Sequence, residues 1–273
     1  MTVTNNELSI LVVLYGCELD ESRTLHSLVE LSHQLNGAKL VVWNNGPKYL
    51  NEKVVSSYER KLDFELIQTI ENISLAKIYN KFIILNDSEK YVILDHDTNV
   101  NIDYLKSLKV FEGNIAAPKI YSGSVLHSPR FSKLPLSSKR EVTAIGSGLI
   151  ISKSAVTCIS KCFGSVFDER FLLYGVDTTL FYRLAKCYDL EKELFFLPEL
   201  EHSLSSNETE TNAVNQFRLK EKSYDFGLRL RFYPSYDKFI LLFILIAKSI
   251  LKNSPLKVSY IFSAIFTGKH YRK

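Results

Sequence analysis

The sequence predicts an α/β protein: a mostly parallel sheet flanked by helices, followed by a C-terminal amphipathic helical tail. Three observations predict it. Short apolar runs that read as buried strands alternate with stretches of helical periodicity through the first hundred positions. Each strand-like run stops abruptly at a polar cluster, as expected where strands deliver ligand-binding groups to one edge of a sheet. From residue 238 onward the character changes, and apolar stripes are flanked by basic residues with no acid.

In order, residues 8–16 (LSILVVLYG) form an apolar strand stopped by glycine. Residues 21–35 (ESRTLHSLVELSHQL) set leucine or valine at 25, 28, 29, 31 and 35, mostly one helical face. A second strand, 38–46 (AKLVVWNNG), breaks at Asn-Asn-Gly-Pro turn chemistry. Residues 64–69 (FELIQT) offer a third strand. Residues 74–86 (SLAKIYNKFIILN) are helical, with Leu75, Ile78, Tyr79 and Phe82 on one side. Residues 91–100 (YVILDHDTNV) are a buried strand ending in Asp95-His96-Asp97. Tyr15-Gly16, Asn44-Asn45 and Asp95-His96-Asp97 should therefore meet in one cleft at the carboxyl ends of the strands. The second half carries strand-like 116–122, 144–152 and 194–205, and a turn followed by a helix over 167–187. Internal repeats and low-complexity tracts are absent.

With 273 residues, 46% hydrophobic and 23% charged, the chain can bury a sizeable core. The start, MTVTNNELSI, lacks the basic and apolar regions of a signal peptide. Cys17, Cys158, Cys162 and Cys187 show no paired C-x-x-C spacing, and are expected to be reduced thiols of a cytosolic protein. Cys158 and Cys162, four apart, can face each other on a helix, but two thiolates alone make a poor zinc site. The net charge of +4 resolves into +7 for residues 238–273 and −3 for residues 1–237. Basicity confined to a tail argues against a nucleic-acid partner, whose binding face would be basic throughout.

Two carboxylates two apart at a strand end share a face and repel unless something positive lies near. A divalent cation carrying a phosphorylated ligand answers this; a solvated loop is the plain alternative. Here the motifs meet a known pattern. In order, LVVLYG, VVWNNG, ENISLAKIYN, LDHDT and FDERFLLYGVDTTLFYRL resemble the family-2 glycosyltransferases of the GT-A fold, over roughly residues 8–205. They are especially similar to the bacterial, rhamnosyltransferase-like enzymes that build surface polysaccharide. The resemblance implies a nucleotide-sugar donor, dTDP-rhamnose or a UDP-hexose, and an inverting transfer to a lipid-linked O-antigen or capsule precursor.

The resemblance also assigns roles. Asp97 is the metal ligand for Mg²⁺ or Mn²⁺, and Asp95 contacts the ribose or donor sugar. Tyr15, Gly16, Asn44 and Asn72 border the nucleotide, and Asp177 is the general base. Asp177 also fits a helix N-cap before TTLFYRL. His202, in LEHSLS, is a candidate further metal ligand, or an ordinary hydrogen-bonding histidine. Lys77 is a candidate phosphate neutraliser, or a solvated helix lysine. Gly148, in Gly146-Ser147-Gly148, either lets backbone approach the donor sugar or simply turns the chain. His96 receives no role. Three positions depart from the pattern: Asn44 stands where the family has aspartate, Ser74 where it has glycine, and Val176 where it has glutamate.

The tail completes the reading. Residues 239–247 are nine consecutive apolar residues, too few to span a bilayer, which takes about 20. In a helix, Lys238, Lys248, Ser249 and Lys252 fall within one arc of roughly 100°. After Pro255, Val258, Ile261, Phe262, Ile265 and Phe266 form a second stripe. The expectation is a GT-A domain over 1–237 and basic amphipathic helices over 238–273. Those helices would lie on an anionic membrane at the cytoplasmic face, with core packing or a homodimer interface as the alternative. Two further functional alternatives are a non-catalytic nucleotide-binding scaffold and a haloacid-dehalogenase-type phosphatase, whose Asp-x-Asp motif ILDHDTN also resembles.

Overall fold

The structure, a computed structural model, describes residues 6–122, 124–133, 140–202, 212–251 and 254–272. Strands β1 (Asn6–Leu14), β2 (Ala38–Asn44), β3 (Glu65–Gln68) and β4 (Ser88–Asp95) alternate with helices α1 (Arg23–Glu30), α2 (Glu52–Glu59) and α3 (Leu75–Leu85). A two-residue β5 (Thr98–Asn99) and α4 (Ile102–Val110) follow. Each of these helices begins where a small polar side chain accepts a backbone N–H of the first turn: Ser22, Asn51, Ser74 and Asn101. Such residues stop a preceding strand and start a helix by satisfying a donor that the helix cannot.

β1 lies inside the sheet, parallel to β2 on one side and β4 on the other, with β3 beyond β2. Ile10, Val12 and Leu14 enter one core, and Leu11 and Val13 the other. A strand covered on both faces has no polar face, so its sequence is apolar without alternation.

The second half adds β6 (Ile115–Pro118), two antiparallel pairs and a returning strand. The pairs are β7 (Ile120–Ser122) with β8 (Val125–Ser128), and β9 (Arg130–Lys133) with β10 (Arg140–Thr143). β11 (Leu149–Ser152) runs antiparallel between β4 and β6. Then come α5 (Lys153–Phe163), α6 (Val176–Leu184), the one-turn α7 (Leu190–Glu193), β12 (Leu194–Leu197) and β13 (Glu201–His202). The main sheet reads β12-β6-β11-β4-β1-β2-β3. It is mostly parallel, as expected, with β11 reversed.

The tail joins α8 (Asn212–Phe232), a helix that its weak periodicity concealed, to α9 (Tyr236–Ile250) and α10 (Val258–Thr267). Tyr224 and Leu228 of α8 face the main core, whereas Phe226 and Leu230 pack with Leu242, Leu245 and Ile261. A Cβ on Gly227 would lie 2.5 Å from the Ile261 carbonyl oxygen, so α10 crosses α8 at backbone contact. Ile261 of the second apolar stripe is thus buried against protein, while Phe266 stays exposed. α9 buries only Leu242 and Leu245 and exposes Phe239, Ile240, Leu241, Phe243 and Ile244. Lys238 departs from the expected basic arc: it is partly buried, its ammonium 4.4 Å from the centre of the Tyr182 ring. Lys252 lies outside the described residues. Among those residues no helix is long and apolar enough to cross a membrane.

The expectation of four reduced thiols is corrected for two of them. Cys158 on α5 and Cys187 beyond α6 are bonded, 29 residues apart in sequence. Packing of α5 against α6 brings them together, and no spacing rule in the sequence announces it. Cys17 and Cys162 are free.

Candidate active site

Because β1 is parallel to both neighbours, register aligns their ends: Leu14 pairs with Asn44, and Val13 with Asp95. The three polar clusters therefore leave the sheet side by side, as expected. Gly16, at φ +67°, turns the chain so that its N–H donates to the Gly46 carbonyl at 2.8 Å. Tyr15 is half-exposed beside it.

β4 ends at Asp95, and His96 and Asp97 form a turn rather than continued strand. The turn, not strand alternation, sets how the two carboxylates lie. Hydroxyls hold its backbone. The Asp95 N–H donates to Ser147 Oγ at 2.9 Å, and Ser22 Oγ donates to the His96 carbonyl at 2.9 Å. Thr24 Oγ1 lies within hydrogen-bond distance of the carbonyls of Asp95 and Thr98, and Ser147 Oγ sits 2.6 Å from Thr98 Oγ1. With the backbone so held, Asp95 and Asp97 remain partly accessible at the cleft. The sequence reading missed Thr24 and Ser147. Their signal was faint, a Ser-x-Thr at a helix start and a serine between glycines.

Asp177 is not the helix cap. Gly175, at φ +82°, occupies that position, and Asp177 sits inside the first turn of α6. Its Oδ2 accepts the Gly146 N–H at 3.0 Å. A Cβ on Gly146 would stand 2.6 Å from Asp177 Oδ1, so only glycine lets the backbone come this close. Burial, with the Asp95 charge added, pushes the Asp177 carboxyl up to about 7 against the pull of the Gly146 N–H. Tyr79 of α3 feels both aspartates and its hydroxyl is pushed well up, chiefly by burial. Asp95, Asp177 and Tyr79 thus form one electrostatic group, built from three elements.

Two sequence motifs prove to be bolted together. Asn80, the last residue of the ENISLAKIYN segment, accepts the Phe167 N–H at 2.9 Å and donates to the Phe167 carbonyl and to Glu169. Asp168 binds Arg170, Arg183 and the Tyr233 hydroxyl. Burial alone would raise its carboxyl, but these donors overcome burial and hold it below the ordinary range. Arg183 also donates to the Ser165 and Val166 carbonyls. The FDER…YRL block therefore anchors α6, and Asp177 at its start, to α3 and α8.

The remaining candidates divide. Asn44 is buried, and its amide donates to the Lys48 carbonyl and Gln68 Oε1 while accepting the Gly46 N–H. It shapes the turn after β2. Asn45, which the sequence reading left without a role, ties that turn to Asn72 and Ile73. Asn72 adopts φ +49° and accepts from Asn45. Ser74 caps α3, and Lys77 is exposed on its first turn. Gly148 faces Pro118 and Leu200, where a Cβ would clash at 2.5 and 2.8 Å. Gly146, two residues earlier, is the glycine that meets Asp177. The backbone of His202 pairs across β13–β5 with Thr98, the residue after Asp97.

The Asp95 and Asp97 carboxylates on one turn offer oxygen donors suited to a hard divalent cation such as Mg²⁺ or Mn²⁺. Asp97 would hold it, with Asp95 alongside.

No family model matches the chain, and no curated protein matches it in sequence. Solved structures do match it in fold. A mannosyltransferase, PcManGT from Pyrobaculum calidifontis, in complex with GDP-Man and Mn²⁺, superposes with a TM-score of 0.56 at 14% identity. That match covers 97% of this chain and 75% of the other. Staphylococcus aureus TarS 1–349 in complex with UDP gives 0.55 at 14% identity, covering 97% and 93%. A longer TarS chain gives 0.54 at 15%, covering 83% of this chain, which spans 44% of that one. At such identities the likeness establishes the fold, which is GT-A. The phosphatase alternative, which needs a different fold, is set aside.

Proposed function

We propose that this chain is an inverting, metal-dependent glycosyltransferase of the family-2 type. It moves a sugar from a nucleotide-diphosphate donor to a hydroxyl of a lipid-linked glycan at a membrane surface. One observation carries the reading: Asp95, at the carboxyl end of β4 in a GT-A fold, lies close enough to Asp177 for its charge to raise that buried carboxyl. The GDP-Man, UDP and UDP-GlcNAc complexes of the structures it resembles support a nucleotide-sugar donor. The sugar-building assignment, with rhamnose or a hexose as cargo and an O-antigen or capsule precursor as acceptor, rests on the sequence resemblance.

In this reading Asp177 takes the proton of the acceptor hydroxyl as its oxygen attacks the anomeric carbon. The bond from that carbon to the diphosphate oxygen breaks, and the nucleoside diphosphate leaves with the electron pair. A single displacement inverts the anomeric centre. A base poised near neutrality suits the step, because a large fraction is deprotonated near neutral pH and it is still basic enough to accept. Asp97, with His202 as a further candidate, would hold the cation, and Asp95 would meet the ribose or sugar. When bound, Mg²⁺ or Mn²⁺ supplies Lewis-acid neutralisation of the leaving diphosphate. Tyr15, Gly16 and the Asn44–Asn72 turn system would border the nucleotide, with Lys77 at the phosphate end.

The exposed apolar face of α9, with Lys248 on the same helix and no acid after Asp237, supports docking on an anionic membrane from the cytoplasmic side. A homodimer through the same face is the competing outcome.

The test is thermal stability with UDP, dTDP and GDP, each with and without Mn²⁺, on wild type and Asp97→Ala. A nucleotide at 100 times its dissociation constant adds about 2.7 kcal/mol of stability. A metal-dependent rise with one nucleotide, lost in the variant, is expected. Absence of any rise in folded protein would defeat the donor assignment. The scaffold alternative draws on Asn44, both of whose amide N–H groups are used within the protein, on Ser74 and on Val176. Asp177→Asn that still binds donor but no longer transfers sugar would count against it.

A further inference from the structure

The sulfurs of Cys158, Cys162 and Cys187 lie within 4.8 Å of one another. Cys158 and Cys162 are one turn apart on α5, and Cys187 stands in the turn beyond α6. A structural bridge uses two sulfurs, here Cys158 and Cys187. The third, on exposed and free Cys162, is surplus to it.

We propose that the reduced cluster is a binding site for one thiophilic divalent cation, Zn²⁺, held by the thiolates of Cys158, Cys162 and Cys187. Tetrahedral zinc with sulfur ligands at about 2.3 Å sets the sulfurs roughly 3.8 Å apart, a spacing the cluster reaches by small side-chain rotations. Cys158 and Cys187 are partly buried and sit on packed elements, so two ligands are anchored. Cys162 opens to solvent, which gives the ion a way in and leaves the fourth position to water. Soft sulfur here and hard carboxylate at Asp95–Asp97 sort Zn²⁺ from Mg²⁺ by ligand chemistry alone. Bound zinc joins α5 to the turn beyond α6, the helix whose first turn holds Asp177. The site exists only after reduction. A phosphine reductant and one water convert the bridge to two thiols and the phosphine oxide, and the three thiols lose their protons as the ion binds.

The test uses the full chain, reduced with a phosphine and titrated with Co²⁺ as the spectroscopic stand-in for Zn²⁺. An intense sulfur-to-cobalt charge-transfer band, saturating at one equivalent and erased by Zn²⁺, is expected. Oxygen ligands give no such band, so the result stands apart from the glycosyltransferase reading. Cys162→Ser should weaken cobalt binding by roughly tenfold or more, and the unreduced chain should give no band. Thiol counts on unreduced protein check the fold: two accessible in unfolded wild type, Cys17 and Cys162, and Cys17 alone in the variant. No band in reduced wild type, or an unchanged titration in Cys162→Ser, would overturn the site.

Discussion

At Asp177 stability and chemistry pull in opposite directions. Its carboxyl is held up to about 7 by burial and the Asp95 charge. An acid whose folded pKa is raised loses stability as pH rises from its unfolded value, about 3.9, through its folded one. Asp177→Asn should therefore melt higher than wild type at pH 8, with the difference vanishing at pH 4. The amide still accepts the Gly146 N–H. The same variant should lose roughly 10²–10⁴ of its turnover, the usual worth of a general base. In wild type kcat/KM should fall below about pH 7, because only the deprotonated base accepts. Saturating Mn²⁺ neutralises Asp95 and should move that limb to lower pH; a pH–rate profile at two metal concentrations checks both. Gly146→Ala should match the loss of turnover while leaving donor-induced stabilisation in place, since its Cβ collides with Asp177 rather than with the nucleotide turn.

Among elements, a single side chain of α3, Asn80, carries the hydrogen bonds to the 167–170 segment, beside the edge-on contact of the Tyr79 and Phe167 rings. Asn80→Ala leaves the buried Phe167 N–H and carbonyl without the amide that now meets them. An unsatisfied buried polar group costs about 1–3 kcal/mol, which denaturant unfolding resolves. That segment was legible in sequence as a motif, but its use was not. Asn80 and Arg183 stand at the close of the two sequence motifs, and in the structure they brace them. α9 poses the converse problem, a helix whose apolar surface exceeds what the fold covers. Phe243→Glu should leave the melting temperature within about 2 °C, because an exposed position away from core features shifts stability little. It should lower sedimentation with vesicles containing anionic lipid. Equal binding of wild type to neutral and anionic vesicles would remove the charge argument.

For the whole molecule, the tail is not a free appendage. α8 carries one face into the main core and the other into the small core it shares with α9 and α10. Gly227→Val would force a side chain against the Ile261 backbone, and overpacking of this kind costs about 1–3 kcal/mol. In a chain of this size that is a fall of several degrees in melting temperature, with α10 the first element to exchange its amides. Unchanged exchange protection in α10 would show that the tail does not depend on α8.

By itself the sequence determined the layered α/β core, because strands buried on both faces must be apolar throughout. It also determined that polar groups gather at the strand ends, because each apolar run has to stop where the sheet meets solvent. Tertiary structure decided the rest. It set Gly146 against Asp177, made a cap out of Gly175 instead of Asp177, and set α10 on α8. It also drew three cysteines from two elements into one cluster. Those outcomes depend on distances between segments far apart in the chain, and local periodicity and propensity carry no record of such distances.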